Sequence, residues 1–327
     1  MKASYLGLSV LLMCALAGCS QPAGSNTSPT TGSAVAEATG SPVTVTDFAG
    51  RTVRLQHTPQ RIVALSNGEV NIVYALGGTV VGRPTSSGGA PVKEAENVQT
   101  IGSTHEIDLE KVALLEPDIV LGNSPMNEKD IPSVEGIGAQ MILSAANSVD
   151  DIQRQITLFG QLLSKPEQAS QLNTELKQHI AKLATHSQAN GTQPKVLLVY
   201  GAPGTYMAAL PNSLSGNILE LAGGSNIAAD LPGLQNYPQY AQLSTERVVE
   251  ADPDYVFIMT HGNSEEVKAG FLKEMQDNQA WSSVSAVKNN HVEVLPSDLF
   301  GTNPGTRVTE ALDLLHNLLY PDTASHG

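Results

Sequence analysis

Two histidines follow segments that the sequence predicts to be β-strands, and their side chains can bind a transition metal. His261 comes one residue after the apolar, β-favouring run Tyr255–Met259, and Gly262 follows it at once. His105 comes shortly after the stretch V-Q-T-I at 98–101. Imidazole is the commonest metal-binding side chain, and open parallel sheets bind ligands beyond the carboxyl ends of their strands. Both histidines are therefore candidates for a binding site.

None of the other histidines follows the carboxyl end of a predicted strand. They precede or begin a strand, lie on predicted helices or lie in the C-terminal tail: His57, His179, His186, His291, His316 and His326. A bystander role stays open, since a loop histidine is often only solvent-exposed and His105 can simply lead into a helix capped by Asp108. If His105 and His261 come from opposite lobes, their imidazoles can bind one metal across a cleft.

Short apolar strands alternate with helices in both halves of the chain. In the first half, strands are predicted at 61–66, 117–123 and 139–144. Ser66 and Glu69 have the spacing of a capping box, which predicts the start of a helix after the first strand. This βαβ alternation is typical of parallel sheets flanked by helices.

A region without strand patterns, 151–187, separates the two α/β halves. Pro166 suits the first turn of a helix, and a helix over 166–187 would reach roughly 33 Å at 1.5 Å per residue. The strand–helix alternation restarts at Lys195. The predicted fold is α/β, with two lobes that each have a central parallel sheet flanked by helices and that one long interdomain helix joins.

The two halves also contain a repeated segment. Residues 109–120 and 245–256 align without a gap at an offset of 136 residues. Each predicts a helix that begins after Asp108 or Ser244, then a Pro-Asp pair, then an apolar strand. The repeat supports two similar lobes.

The N-terminus is typical of an exported lipoprotein. Lys2 precedes an apolar run that is too short to span a bilayer and ends in L-A-G-C. Cleavage before Cys19 would leave this cysteine for lipidation by acyl chains such as palmitate, although an ordinary secretory signal with an incidental cysteine is the alternative. The predicted segments are a signal peptide (1–18), a flexible tether (19–42), an N-terminal α/β lobe (43–164), a connecting helix (165–190), a C-terminal α/β lobe (191–321) and a tail (322–327).

Charge and motifs exclude several classes of function. The net charge of −14 at pH 7 argues against nucleic-acid binding. The segment N-S-L-S-G-N lacks the leading glycine of a Gly-x-Ser-x-Gly nucleophile motif, and P-T-S-S-G-G lacks the lysine of a P-loop. The only cysteine besides Cys19 is Cys14 in the signal, so the mature chain has no intramolecular disulfide. The sequence predicts a binding protein and no enzyme.

Six segments, in order, resemble the bacterial binding proteins that feed iron-siderophore, cobalamin and haem importers, which are class III substrate-binding proteins. Among these, the likeness is to haem-binding lipoproteins of the iron-regulated surface determinant type. The segments are G-R-P-T-S-S, T-I-G-S-T-H-E-I-D-L-E-K-V, K-V-L-L-V-Y-G-A-P-G-T-Y, L-A-G-G-S-N-I, M-T-H-G-N-S-E-E-V and A-V-K-N-N-H-V-E-V-L-P-S-D-L-F-G.

The resemblance implies that haem (iron protoporphyrin IX) is the transported ligand, bound in the interlobe cleft by an axial ligand from each lobe. His261 falls on the family's haem-ligating histidine. His105 falls on its other axial position, where methionine is usual, and a second imidazole should lower the reduction potential. The implied partners are an ABC permease dimer with its ATPase and an upstream haem donor. The implied location of the monomer is the outer face of the cytoplasmic membrane or the periplasmic side of a Gram-negative membrane.

Further residues are expected to contact the haem. Tyr206, Met207 and Tyr240 are expected in cleft loops, where they can pack on the porphyrin, although packing on the lobe surface is equally open. No lysine or arginine is evidently placed for the propionates. Backbone N–H groups at 66–68, the start of a helix, can bind them instead, with Ser66, Asn67 and the hydroxyls of Thr85, Ser86 and Ser87 close by.

Glu110 and Glu246 are the equivalent acids of the repeated segment, one in each lobe. In the resembled family such a pair docks onto arginines of the permease. The alternative is that each carboxylate only suits the dipole of the helix that it begins.

Two alternative ligands stay open. A cobalamin or Fe(III)-siderophore carrier would share this fold. A zinc- or manganese-binding lipoprotein would also have two lobes and a long helix, and His105, His261 and Glu265 could contribute to its site.

Overall fold

The predicted strands of the first half form a parallel sheet, and a short hairpin precedes this sheet in the chain. A computed structural model describes residues 41–86, 88–104, 106–202, 205–260 and 264–321 of the protein. The antiparallel hairpin is β1 (Val43–Thr46) and β2 (Thr52–Leu55). The sheet consists of β3 (Ile62–Ala64), β4 (Gly82–Arg83), β5 (Gln99–Thr100), β6 (Ile119–Asn123) and β7 (Gln140–Ser144). Its strands lie in the order β5-β4-β3-β6-β7, and all neighbours are parallel.

The second sheet combines parallel and antiparallel strands. They are β8 (Lys195–Ala202), β9 (Thr205–Ala209), β10 (Ser225–Asn226), β11 (Tyr240–Gln242), β12 (Tyr255–Met259) and β13 (Val292–Val294). The order is β11-β9-β8-β12-β13, and β10 pairs with the start of β8. The β8, β10, β12 and β13 strands are parallel, whereas β9 is antiparallel to both β8 and β11. The sequence predicts the parallel centre of this sheet but not its antiparallel edge.

Helices flank both sheets: α1 (Asn67–Ala75), α2 (Leu109–Leu114), α3 (Ile131–Gly136), α4 (Val149–Leu162), α5 (Pro166–Ala189), α6 (Leu214–Leu221), α7 (Thr245–Ala251), α8 (Ser264–Asp277), α9 (Ser285–Lys288), α10 (Ser297–Phe300) and α11 (Val308–Leu319). Within the described ranges, no helix is long and apolar enough to cross a membrane. The predicted α/β architecture is confirmed.

The long helix between the halves is α5, with 24 residues and a length of about 36 Å at 1.5 Å per residue. It begins with Pro166 in its first turn, as the sequence predicts. On one side, Asn173 Nδ2 donates to the Gln153 carbonyl of α4 at 3.0 Å. On the other, His179 Nε2 lies 2.9 Å from Asp313 Oδ1 of α11. The helix is thus packed against both halves of the chain.

One hydrophobic core continues from the first sheet to the second. It contains Ile62 of β3, Phe159 of α4, Leu312 of α11 and, from β8, Val196 and Leu198. The alternate side chains of β8, at 197 and 199, enter a second core cluster that lies against α7 and α8. This alternation follows the period of two of a strand, and it shows that the two lobes share buried apolar surface.

The Pro-Asp repeat has a structural reason. Asp118 Oδ2 accepts hydrogen bonds from the backbone N–H groups of Gln60 and Arg61, at 2.6 and 2.9 Å, just before β3. Asp254 Oδ2 accepts one from Lys195 N, at 2.8 Å, at the start of β8. In each lobe the aspartate therefore fixes the start of the neighbouring central strand, which is why both halves keep it.

Candidate functional site

A cavity of about 410 Å³ lies between the lobes, at the carboxyl ends of the strands of the first sheet. Its first-lobe wall comes from the segments that follow β3, β4, β5 and β6, and from α4: Ser66, Asn67, Thr85, Ser86, Gly88, Gly89, Ala90, Pro91, Ser103, Thr104, Asn123, Met126 and Gln155. The second lobe contributes Ser297, Asp298, Thr302, Asn303, Pro304 and Arg307. This is the position where parallel sheets bind ligands.

The start of α1 at the cavity wall is fixed by the predicted capping box. Glu69 N donates to Ser66 Oγ at 3.3 Å, and Glu69 Oε2 accepts from Ser66 N at 3.0 Å. The first N–H groups of a helix have no partner within the helix, so this end of α1 presents donors and a positive dipole end to an anion. Asn67 Oδ1 is buried without a hydrogen-bond partner among the described residues.

Glu69 is a buried acid beneath this wall, with 1% of its surface exposed. Burial raises its pKa from 4.5 to about 7, although hydrogen bonds from the backbone of Leu65 and Ser66 and from the Ser66 and Ser144 side chains oppose the shift. Desolvation outweighs these bonds because the carboxylate loses its water on nearly all sides.

Glu69 should make the stability of the protein depend on pH. Its folded pKa lies above its unfolded value, so the folded protein binds more protons between about pH 4.5 and 7. The stabilisation is fully present at lower pH and is lost as the pH rises through this range. Glu69→Gln can keep the capping box. In this variant we expect the free energy of unfolding to fall by up to about 3 kcal/mol less than in the wild type as the pH rises through this range. Urea unfolding at pH 5, 6, 7 and 8 measures it.

The matched control is Glu175→Gln, which changes an exposed acid on α5. This variant should keep the wild-type dependence on pH. A Glu69→Gln protein with the same pH dependence as the wild type would show that Glu69 is ionised throughout this range.

A chain of side-chain hydrogen bonds leads from Glu69 to the second lobe. Ser144 Oγ donates to Glu69 Oε1 at 3.4 Å and accepts from Gln155 Nε2 at 2.8 Å. Gln155 Oε1 accepts from Asn303 Nδ2 at 2.9 Å. At Gly68, an added Cβ would lie 2.5 Å from Asn303 Cγ, so only glycine lets α1 approach this closely. The chain joins the lobes at the base of the cavity.

A second junction lies beside the first. Thr306 donates to Asn71 Oδ1 through its backbone N–H at 2.7 Å and through its hydroxyl at 2.8 Å. On another flank, the Val149 N–H at the start of α4 donates to Asn217 Oδ1 of α6 at 2.9 Å. These bonds connect residues of opposite lobes beside the cavity.

The two candidate ligands, His105 and His261, lie outside the described residues. Their neighbours are described. Thr104 lines the cavity, and Thr260 is buried at the end of β12. An added Cβ on Gly301 would lie 2.7 Å from the Thr260 carbonyl oxygen, and Thr302 lines the cavity. The described residues that precede both histidines in the chain, Thr104 and Thr260, therefore lie at or beside the cavity wall.

Four predicted contact residues lie in the cavity wall: Ser66, Asn67, Thr85 and Ser86. Ser87 and Cys19 lie outside the described residues. Within those residues, no group of three or more His, Cys, Asp or Glu side chains has the geometry of a metal site.

The expectation that Tyr206, Met207 and Tyr240 lie in cleft loops is wrong, because they belong to strands. After β8 the chain reverses and pairs Tyr206 with Gly201, so the tyrosine ring faces α8 and lies 4.9 Å from the Phe271 ring. Met207 of β9 pairs with Gln242, and Tyr240 of β11 pairs with Ala209. The Tyr240 ring lies 5.2 Å from that of Tyr200, and burial raises the Tyr240 pKa to about 12. None of the three lines the cavity.

Sequence reasoning missed Gln155, Met126, Asn303 and Arg307. Met126 comes three residues after β6, so the rule that singled out His105 and His261 could have found it. Arg307 ends a single 3-10 turn directly before α11, and no local pattern indicates that this turn reaches the first lobe.

The comparison with known proteins agrees with this architecture. Residues 62–299 match the model of a family described as periplasmic binding protein. The chain is 32% identical to the high-affinity heme uptake system protein IsdE of Staphylococcus aureus (strain MRSA252) over 243 residues, which are 74% of this chain and 81% of that protein.

Two solved structures are similar along most of their length. A crystal structure of S. aureus IsdE complexed with heme matches with a TM-score of 0.70 and 30% identity, covering 80% of this chain and 98% of that chain. An ABC transporter substrate-binding protein from Listeria monocytogenes EGD-e matches with a TM-score of 0.69 and 30% identity, with the same two coverages. With its two lobes, long connecting helix and interlobe cavity, the chain belongs to the periplasmic binding protein family.

Proposed function

We propose that this protein is the substrate-binding component of an ABC importer and that it binds haem between its lobes. The observation that carries the proposal is the interlobe cavity. Its wall includes Thr104. It also adjoins the end of β12, because Gly301, next to the lining residue Thr302, lies close to the Thr260 carbonyl oxygen. Thr104 and Thr260 are the chain neighbours of His105 and His261. The similarity to a haem uptake protein supports the same ligand.

In this proposal, His105 and His261 are the two axial ligands of the haem iron. Imidazole is a strong ligand for haem iron, and a pair of imidazoles favours a low-spin, six-coordinate state with a lower potential than His/Met ligation. One ligand from each lobe would make haem binding sensitive to both walls of the cavity.

The wall has suitable groups for the rest of the ligand. Ala90, Pro91, Met126 and Pro304 offer apolar surface to the porphyrin, and the Met126 thioether can adapt to an aromatic ring. The N-terminus of α1 and the hydroxyls of Thr85 and Ser86 offer donors to the propionates.

We expect the protein to work at the cell envelope, tethered by a lipid. Signal cleavage before Cys19 would leave a lipidated cysteine and a flexible segment to about residue 42, followed by the lobe 43–164, the connecting region 165–190 and the lobe 191–321. Two acyl chains give stable anchoring where one is marginal. Monomeric protein would receive haem from an upstream donor and deliver it to a permease dimer with its ATPase.

Docking on the permease would use Glu110 and Glu246. Both acids are exposed and lie in the first turns of α2 and α7. These helices begin in the same way, since Asp108 and Ser244 each accept a hydrogen bond from the backbone N–H three residues on, at 3.1 and 3.4 Å. Equivalent acids on two similar lobes suit a partner with two equivalent basic sites.

The direct test is a titration of the purified protein with ferric haem. We expect the absorbance spectrum of low-spin, six-coordinate iron, saturating at one haem per chain. Hydroxocobalamin, a ferric siderophore and Zn²⁺, added at the same concentrations, are expected to bind far more weakly. Tight binding of one of these without any haem spectrum would overturn the proposal.

A further inference from the structure

Among the described residues that line the cavity, a single side chain is cationic. It is Arg307, which comes directly before α11 in the second lobe. The only other charged side chain of this lining is Asp298. A guanidinium can bind a carboxylate through two parallel hydrogen bonds, which makes it a directional site for that group.

Glu310 holds the Arg307 guanidinium along one edge. Arg307 Nε donates to Glu310 Oε1 and Oε2 at 3.1 and 3.2 Å, and Nη2 donates to Oε2 at 2.9 Å. Glu310 lies in the first turn of α11. The Glu310 side chain is 55% exposed, but it accepts three hydrogen bonds from Arg307 through both carboxylate oxygens, whereas Asp298 accepts one. The contact with Glu310 therefore orients the plane of the guanidinium.

The remaining edge is only partly occupied. Nη2 also donates to Asp298 Oδ2 at 2.9 Å, whereas Nη1 makes no hydrogen bond within the described chain. The Asp298 side chain is 47% exposed, so water can replace the guanidinium around it. Exposed ion pairs of this kind contribute little to stability, and a ligand carboxylate can therefore displace Asp298 easily.

We propose that Arg307, oriented by Glu310, binds a carboxylate of the ligand and releases Asp298 in exchange. The inference rests on the proposed function, since haem carries two propionate carboxylates. In this proposal, the second-lobe wall recognises the haem by the edge of the porphyrin that carries the propionates. Arg307 is the binding residue, Glu310 is a positioning residue, and Asp298 is a competitor for the same cation.

The test compares ferric haem with its dimethyl ester, whose propionates are neutral. Both are titrated into the wild type, Arg307→Gln, Glu310→Gln and Asp298→Asn in the same detergent buffer, with absorbance as the readout. We expect Arg307→Gln to weaken haem binding about tenfold, as for a lost charged hydrogen bond, and to leave ester binding unchanged. Glu310→Gln should show a smaller loss of the same kind, and Asp298→Asn should bind haem more tightly.

Arg154→Gln is the matched control, because Arg154 is exposed and paired with Asp151 on α4, away from this wall. Thermal unfolding followed by circular dichroism checks that each variant folds, and Arg307→Lys keeps the charge without the bidentate fork if Arg307→Gln does not fold. Equal losses for haem and ester, or no loss for either, would overturn the inference while leaving haem binding in place. Failure of the wild type to bind haem would instead overturn the proposed function.

Discussion

His261→Ala is expected to abolish the low-spin, six-coordinate haem spectrum and to weaken haem binding by about a hundredfold or more. Loss of an outer-shell partner of a metal ligand already costs about 10- to 100-fold, and His261 is proposed to bind the iron directly. His105→Ala should also abolish the six-coordinate species and leave five-coordinate iron. Titration with ferric haem, followed by absorbance and electron paramagnetic resonance, measures both effects.

Two further variants make this result specific. His105→Met replaces one axial ligand by another and should restore six-coordinate iron with a higher reduction potential. His57→Ala removes a histidine that precedes β3, at the opposite end of the sheet from the cavity, and should bind haem like the wild type. If both alanine variants of the proposed ligands keep the wild-type spectrum, the axial assignment is wrong.

Replacing Glu110 and Glu246 together by alanine is expected to reduce haem import by at least about tenfold without changing haem affinity. The loss should come from the encounter with the permease, because exposed charges at an interface act mainly on association and orientation. Each single variant should show an intermediate defect. Uptake of labelled haem by cells, or by proteoliposomes that contain the permease and ATPase, gives the rate, and the titration above gives the affinity.

The same double substitution also removes two carboxylates from helix N-termini, so its control must do the same. Asp150→Ala with Glu167→Ala changes exposed acids in the first turns of α4 and α5. Each such carboxylate contributes roughly 0.3–1 kcal/mol to its helix, so the two proteins should lose similar stability. Equal import defects in both, or a loss of haem affinity in the glutamate pair, would contradict the docking role.

Local rules predict the elements of this fold well. The Ser66–Glu69 spacing predicts the capping box at α1, and Pro166 predicts the start of α5, because capping and proline geometry depend only on nearby residues. The repeat predicts two similar lobes correctly, since Asp118 and Asp254 make the same contact in each.

The antiparallel edge of the second sheet is harder to predict. The stretch T-Y-M-A-A of β9 is short, does not alternate in burial, and carries no information on the direction of the strand. The reversal after β8 decides which face Tyr206 occupies, and a shift of one residue would turn its ring to the other face. The sequence therefore cannot separate a cleft contact from a contact with α8.

The missed cavity residues depend on tertiary structure. Arg307 reaches the site because Thr306 is bonded to Asn71, 235 residues earlier in the chain. Asn303 does so through its bond to Gln155 and its close approach to Gly68. Contacts between such distant positions leave no local pattern, whereas residues that directly follow parallel strands can be found by position alone.

The hydrogen bonds that join the lobes and the core that they share have a consequence for the transport cycle. When the two lobes are already in the ligand-binding arrangement, binding requires little conformational change. Most of the free energy of contact with the ligand therefore appears as affinity. Unloading then becomes the demanding step. In the proposed import cycle, we expect the permease and its ATPase to supply the free energy that separates Asn303 from Gln155 and Thr306 from Asn71.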